Sequence, residues 1–239
     1  AGLAAAAIDH FGAVHVVCNN AGVSTRADPW AGPLSAWKWV FDVNLFSIVA
    51  LTQAATPLLR RARGRVVHIG SIGGRLSTPG LAAYSASKHA LEALAEAQRH
   101  ELRRAATGIK VSLVEPGEVK TAIWEKGDAT VDELERTLDD DGRARYGWLI
   151  NQSRGFIDEG RHRGVDADKV AQAVARERVV RCRGPRVLRI RLAAPGRMMS
   201  PEQGVLCSVS SHFAERDIVR DVARRSNAAL GGSWLSDTQ

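Results

Sequence analysis

The sequence predicts an α/β fold, a doubly wound parallel sheet held between two layers of helices. Three observations carry that prediction. Short β-branched runs alternate with segments of helical periodicity, the pattern of parallel strands joined by crossover helices. The runs VHVVC (14–18), RVVHIG (65–70) and IKVSLVEPG (109–117) are largely apolar without strict alternation, as expected of strands buried on both faces. Each run leads into Asn, Gly, Ser or Pro, the residues that turn a chain where a strand stops.

The elements follow in order. The opening AGLAAAAIDHFG reads as the end of a helix stopped at Gly12. VHVVC is the first strand and turns at Asn19-Asn20-Ala21-Gly22. A helix starts near Ser35, a good N-cap, and runs to about 60 with Trp37, Phe41, Leu45 and Ile48 on one face. RVVHIG leads to Ser71, and an Ala-rich helix covers 82–104. The third strand stops at Pro116-Gly117. The connection over 118–165 has an acidic middle that reads as partly helical and solvated. Asp168–Arg178 suits one more helix, and VLRIRL (187–192) alternates like a final strand. No element is predicted beyond Pro195, so one domain is drawn at 1–195, with 196–239 a divergent or disordered basic tail.

Composition sets the outer bounds. With 45% hydrophobic and 25% charged residues, the chain is neither collagen-like nor a disulfide scaffold. Cys18, Cys182 and Cys207 show no metal-ligand spacing, so no metal is expected, and the cytoplasm, a reducing compartment, is the expected location. No uninterrupted apolar stretch nears the roughly 20 residues of a bilayer span, so no transmembrane segment is expected. The opening stretch lacks a basic n-region and does not read as a signal peptide. The net charge of +7 is uneven: residues 1–160 hold 18 basic and 18 acidic residues, and 161–239 hold 15 against 8. Seven arginines face Glu177 alone within 176–191. An alternative reading is therefore a non-catalytic chain whose Arg-rich tail binds nucleic acid or anionic lipid. The basic residues come without an aromatic platform or a nucleic-acid motif, so no nucleic acid is expected as partner.

Four residues carry candidate chemistry. Tyr84 and Lys88 lie four apart at the start of a helix and share a face. A phenol ionises near pH 10, and a neighbouring ammonium lowers that value toward the range of a useful acid or base. Ser71 stands just beyond a strand, where α/β sheets present their ligand crevice. Asn44 lies on a helical turn otherwise filled by Phe41, Leu45 and Ile48, which implies a specific hydrogen-bonding task. Singly, these are a solvated ion-pair position, a turn serine and a helix bend. Their order along the chain gives them specificity.

Taken together, Asn19-Asn20-Ala21-Gly22, Asn44 within DVNLFS, Ser71 within GSIGG, Tyr84-Ser-Ala-Ser-Lys88, and Pro116-Gly117 followed by Thr121 resemble the short-chain dehydrogenase/reductase family. These are NAD(P)-dependent oxidoreductases on a Rossmann fold. The resemblance covers about 1–125 closely and 126–175 loosely. It implies Tyr84 as catalytic acid/base, with Ser71 orienting the carbonyl or alcohol. Lys88 would bind the nicotinamide ribose and depress the Tyr84 pKa, and Asn44 would anchor a water relaying protons to Lys88. Asn20 and Gly22 would line the adenosine side of the cofactor, and Pro116, Gly117, Val119 and Thr121 the nicotinamide. The implied reaction interconverts a small-molecule secondary alcohol and ketone by hydride transfer with NAD or NADP. The connection 118–165 would form a substrate lid, with Trp124 walling an apolar pocket for a lipophilic substrate. A homodimer or homotetramer built on the helices at 35–60 and 82–104 is also implied.

The sequence departs from the family at both ends. The glycine-rich turn Thr-Gly-x-x-x-Gly-x-Gly and the strands around it have no match, so the chain reads as N-terminally truncated. Residues 1–239 alone are then expected to fold marginally, with VHVVC as an exposed edge strand. The segment after about 176 matches the family poorly.

Overall fold

The computed structural model describes residue 10 and residues 12–25, 32–179 and 189–192. Its centre is a parallel sheet of β1 (Val16–Asn19), β2 (Arg65–Ile69), β3 (Lys110–Pro116) and β6 (Arg189–Leu192), in the order β1-β2-β3-β6. Val17 stands opposite Val66, Val67 opposite Ser112, and Val114 opposite Ile190. All five residues of β2 are buried, Arg65 and His68 included, as expected of a strand covered on both faces. One face packs Val17, Val66 and Ile109 against Ala55 and Leu59, and Val111 and Leu113 against Ile48, Leu91 and Ala95. The other face packs Val67, Ile69 and Val114 against Val170. Successive residues of a strand thus serve opposite helical layers, and the sheet is doubly wound. Among the described strands, β1 stands at one end of this order.

The helix after β1 is one continuous run in three parts: α1 (Leu34–Phe41), a π-helical turn (Asp42–Phe46) and α2 (Ser47–Ala62). By length and composition alone, Leu34–Ala62 could cross a membrane, with a mean hydropathy of 1.3, which amends the expectation that no segment qualifies. It lies against the sheet through Ile48, Ala55 and Leu59, and its turn buries the polar Asn44. That is how a sheet-covering helix behaves. α3 (Ala82–Arg104) follows the Ser71 turn and matches its expected span.

The connection after β3 is far more helical than its acidic composition suggests. A two-residue strand β4 (Val119–Lys120) leads to α4 (Ile123–Thr137) and α5 (Asp140–Arg163). β5 (Val165–Asp166) returns to pair with β4, and α6 (Ala167–Val179) covers the sheet. The acids have local uses. Asp139 caps α5, its Oδ1 accepting from Gly142 N at 2.7 Å, and Asp140 and Asp141 stand at the positive end of the helix dipole. Arg154 reaches Asp132 at 2.8 Å and Glu135 at 2.5 Å, and Arg161 pairs with Asp128, so α4 and α5 are laced along their exposed edge. Such pairs stabilise little singly. The apolar seam of Val131, Ile150 and Ile157 contributes most of the packing. The start of the expected opening helix, the tail 196–239 and the arginine side chains of 176–191 lie outside the described residues.

Candidate active site

Because β1, β2 and β3 run parallel, their carboxyl ends share one edge of the sheet. That edge presents Asn20–Gly22, the Ser71 turn and Pro116–Gly117. Ser71 leaves β2 in extended conformation and caps a short 3₁₀ turn (Ile72–Gly74), its Oγ accepting from Gly73 N at 3.0 Å. The turn presses on the first coil of α3, where a Cβ on Gly73 would sit 3.0 Å from Tyr84 Cε1. The Ser71 hydroxyl lies close enough to the Tyr84 phenol to favour its ionised form. One helical turn on, Lys88 Nζ lies 5.9 Å from the Tyr84 ring centroid. It is buried and donates to the Ile69 carbonyl at 2.8 Å, which anchors α3 to the end of β2.

Burial lowers the Lys88 pKa to about 8. Burial also pushes the Tyr84 phenol above its ordinary value, and the Ser71 hydroxyl opposes that rise. The net shift of Tyr84 is therefore upward, against the depression expected from Lys88, because desolvation of the phenol is the largest influence.

Asn44 explains the π-helical turn. Its Oδ1 accepts from Val23 N at 2.8 Å, and its Nδ2 donates to Val23 O at 2.9 Å and Ser87 Oγ at 2.9 Å. The amide therefore fastens the segment after β1 to α3, with both amide protons engaged inside the protein. Ser87, which the sequence reading passed over, accepts from Asn44 and donates to Tyr84 O at 2.7 Å. Its signal was present in the sequence as a polar residue directly before Lys88 on an alanine-rich helix.

Gly22 is exposed beside this cluster. A Cβ there would lie 3.5 Å from Lys88 Nζ and 3.7 Å from Asn44 Oδ1, so glycine leaves the approach to the ammonium open. An ammonium has three donors, and Ile69 takes one. A ribose hydroxyl fits this chemistry, and the residues present suit the nicotinamide-ribose end of a dinucleotide.

The structure thus gathers Ser71, Tyr84, Lys88, Asn44 and Gly22, with Asn20 on the same turn as Gly22. Pro116 and Gly117 stand at the same sheet edge, one strand further along. Val119 packs into the apolar cluster of Val67 and Val114, and Thr121 helps start α4, its Oγ1 accepting from Ile123 N at 3.5 Å. Trp124, expected to wall an apolar pocket, has defined partners within the connection. Its Nε1 donates to Val119 O at 2.7 Å, and its ring meets Phe156 edge-on at 5.6 Å between centroids. It fills the junction between α4 and α5 because Gly160 leaves room for the indole.

A second polar network went unread. Asn19 Nδ2 lies 3.1 Å from both Thr52 Oγ1 and His68 Nδ1, and His68 Nε2 lies 2.9 Å from Gln98 Oε1. Burial lowers the His68 pKa to about 4, so the imidazole is neutral and cross-links β1, β2 and α3. In the sequence, His68 is one polar residue inside an apolar strand and carries no pattern.

Fold and site together define a Rossmann-type α/β protein with serine, tyrosine and lysine converging at the strand ends. The family model for short chain dehydrogenases matches residues 2–132, and the chain belongs to the short-chain dehydrogenase/reductase family. Among curated relatives, it is 38% identical over 117 residues to a dehydrogenase/reductase SDR family protein 7-like of Anopheles gambiae, covering 48% of this chain and 36% of that protein. It is 34% identical over 161 residues to an NADPH-dependent 3-dehydrocapnine reductase of Ornithobacterium rhinotracheale, covering 65% and 54%. The chain therefore spans about half or less of the length of these relatives. A short-chain dehydrogenase/reductase of Burkholderia phymatum, solved in complex with NAD, superposes with a TM-score of 0.61 over 99% of this chain and 74% of its own, at 24% identity. That likeness shows the fold. The family uses NAD(P) as its cofactor.

Proposed function

We propose that the complete protein is an NAD(P)-dependent oxidoreductase that interconverts a small-molecule secondary alcohol and its ketone. The observation that carries this reading is the gathering of Ser71, Tyr84 and the buried Lys88: the Ser71 turn presses on the Tyr84 ring, and Lys88 Nζ lies 5.9 Å from that ring's centroid. NAD(P), when bound, accepts or supplies the hydride. Lys88 would hold the nicotinamide ribose beside Gly22, with Asn20 on the adenosine side and Pro116, Gly117 and Thr121 along the nicotinamide. Ser71 Oγ holds the substrate oxygen next to Tyr84 Oη. In alcohol oxidation the phenolate takes the hydroxyl proton, and in ketone reduction the phenol returns it. Lys88 in its charged form favours the phenolate, and Asn44 and Ser87 keep α3 fixed against the end of β1. The substrate we propose is lipophilic. Exposed Leu76, on the segment after Ser71, and exposed Ile123, at the start of α4, support this.

The test is Tyr84→Phe in the complete protein, assayed against a panel of secondary alcohols with NAD⁺ and NADP⁺. Turnover should fall by about a hundredfold or more, the usual contribution of a positioned acid/base. Cofactor binding, read from NADH and NADPH fluorescence, should stay unchanged. Retention of a tenth of the turnover would sink the assignment.

A homodimer or homotetramer is part of the same proposal. The outer side of Leu34–Ala62 leaves Leu34 and Phe46 exposed, and α3 offers exposed Ala93 and Ala97 for close helix approach. Light scattering that finds a monomer at micromolar concentration would refute this assembly.

A further inference from the structure

The turn that carries Ser71 ends at Arg75, which neither the fold nor the proposed chemistry has yet used. Arg75 Nε lies 2.7 Å from Glu115 Oε1, and its Nη2 lies 2.5 Å from Glu92 Oε2. Glu115 is fully buried and Glu92 nearly so, while Arg75 is about one-third exposed. Glu96 adds a third acid to the field around the guanidinium. The two closest partners belong to different elements. Glu115 is the residue before Pro116 at the end of β3, and Glu92 stands one helical turn beyond Lys88 on α3. The turn between them is tightly pressed, since a Cβ on Gly74 would lie 3.0 Å from the Lys88 carbonyl and 3.2 Å from Glu92 Cγ.

A buried ion pair is weak evidence for stability, because desolvating the charges offsets much of their attraction. Its clearer effect is geometric. A guanidinium is a rigid planar group, and here its Nε donates to Glu115 while its Nη2 stands in ionic contact with Glu92, so one group meets carboxylates on two elements at once. We propose that Arg75 is a positioning residue, whose guanidinium sets the Ser71 turn against α3 and the end of β3 and so sets how the Ser71 hydroxyl meets that of Tyr84. The inference rests on the roles given to Ser71 and Tyr84 above.

Arg75→Lys keeps the charge and loses the planar group. Two readouts are taken on the complete protein. One is kcat and KM for lipophilic secondary alcohols such as octan-2-ol and cyclohexanol with NAD⁺ and NADP⁺. The other is the NMR signal of ¹³Cζ-labelled tyrosine, which needs no substrate and reports the hydrogen bonding of the hydroxyl. The chain has two tyrosines, and Tyr146→Phe assigns the signal of Tyr84. Folded Arg75→Lys should shift the Tyr84 signal and lower kcat about tenfold or more, the scale of a small misplacement at a reacting centre. KM should stay within about twofold. In a Ser71→Ala background the same change should move neither readout further, because the two substitutions act through one contact.

An unshifted Tyr84 signal with unchanged kcat would overturn the proposal. So would an equal loss of kcat whether or not Ser71 is replaced. If Ser71→Ala itself leaves turnover intact, the role given to Ser71 fails, and the Tyr84 signal alone decides the role of Arg75. Should Arg75→Lys not fold, Glu92→Gln loosens a single one of these contacts and is judged by the same criteria.

Discussion

Two glycines of α5 should respond in opposite ways to the same substitution. A Cβ on Gly160 would fall 2.6 Å from Trp124 Cε2 and closer still to Cζ2 and Cη2, far inside van der Waals contact. The indole cannot simply tilt away, since Nε1 is held by the Val119 carbonyl at 2.7 Å and the ring abuts Phe156. Gly160→Ala must therefore expel Trp124 or push α5 off α4. Overpacking of this kind costs about 1–3 kcal/mol. Loss of the indole hydrogen bond adds about 1 kcal/mol. Alanine returns about 1 kcal/mol as a better helix former than glycine. The net expectation is a destabilisation of about 2 kcal/mol. Gly155, five residues earlier, has nothing within 4 Å of the same added carbon. Gly155→Ala collects only the propensity gain and should stabilise by about 0.5–1 kcal/mol. At about 2–4 °C per kcal/mol for a chain of this size, the two melting temperatures should lie roughly 5–12 °C apart. In a Trp124→Ala background the Gly160→Ala penalty should disappear. Melting shifts of the same sign for both variants would refute the packing argument.

Two pH-dependent outcomes follow from the buried bases. Folded Lys88 has a pKa of about 8 against an ordinary 10.5, so the unfolded chain binds more protons between those values, and stability rises with pH through that window. Wild type should therefore gain stability relative to Lys88→Met between pH 8 and 10.5, checked by urea unfolding at several pH values. A constant difference across that window would contradict burial of the ammonium. Folded His68, at about 4 against an ordinary 6.5, stabilises the protein above pH 6.5 and loses that contribution as pH falls toward 4. At pH 5 the loss should reach about 2 kcal/mol, and His68→Gln should abolish it. An unaltered acid limb in that variant would mean that other groups govern acid unfolding.

The strands and the long helices were legible because burial on both faces leaves an unbroken apolar run, and a helix covering a sheet repeats its apolar side. Ser71, Tyr84 and Lys88 were legible because their chemistry needs those residue types at set positions on a strand end and a helix start. What escaped reading depends on distant partners. Asn44 was flagged as polar in an apolar turn, but its bonds to Val23 and Ser87 span 21 and 43 residues of chain. Arg75, Glu92 and Glu115 looked like separate charges, since nothing local distinguishes a buried carboxylate from a solvated one. The acidic stretch 128–141 was read as solvated and only partly helical. Its caps and its pairing with arginines on the next helix turned charge into helix ends and an interhelical edge. Trp124 was assigned to a pocket wall as part of a lid, and the glycine that makes room for its ring lies 36 positions later.

The π-helical turn at Asp42–Phe46 lets the helix carry one residue more than its fit to the sheet requires. A π turn absorbs that residue within the rotation of an ordinary turn, so the helix on either side keeps its facing. Deleting a single residue there would restore an ordinary helix and leave Ile48, Ala55 and Leu59 on the sheet. The change would fall on the turn itself, where Asn44 meets Val23 and Ser87. A homologue one residue shorter at this point can therefore keep the same packing, but has to fasten the end of β1 to α3 in another way.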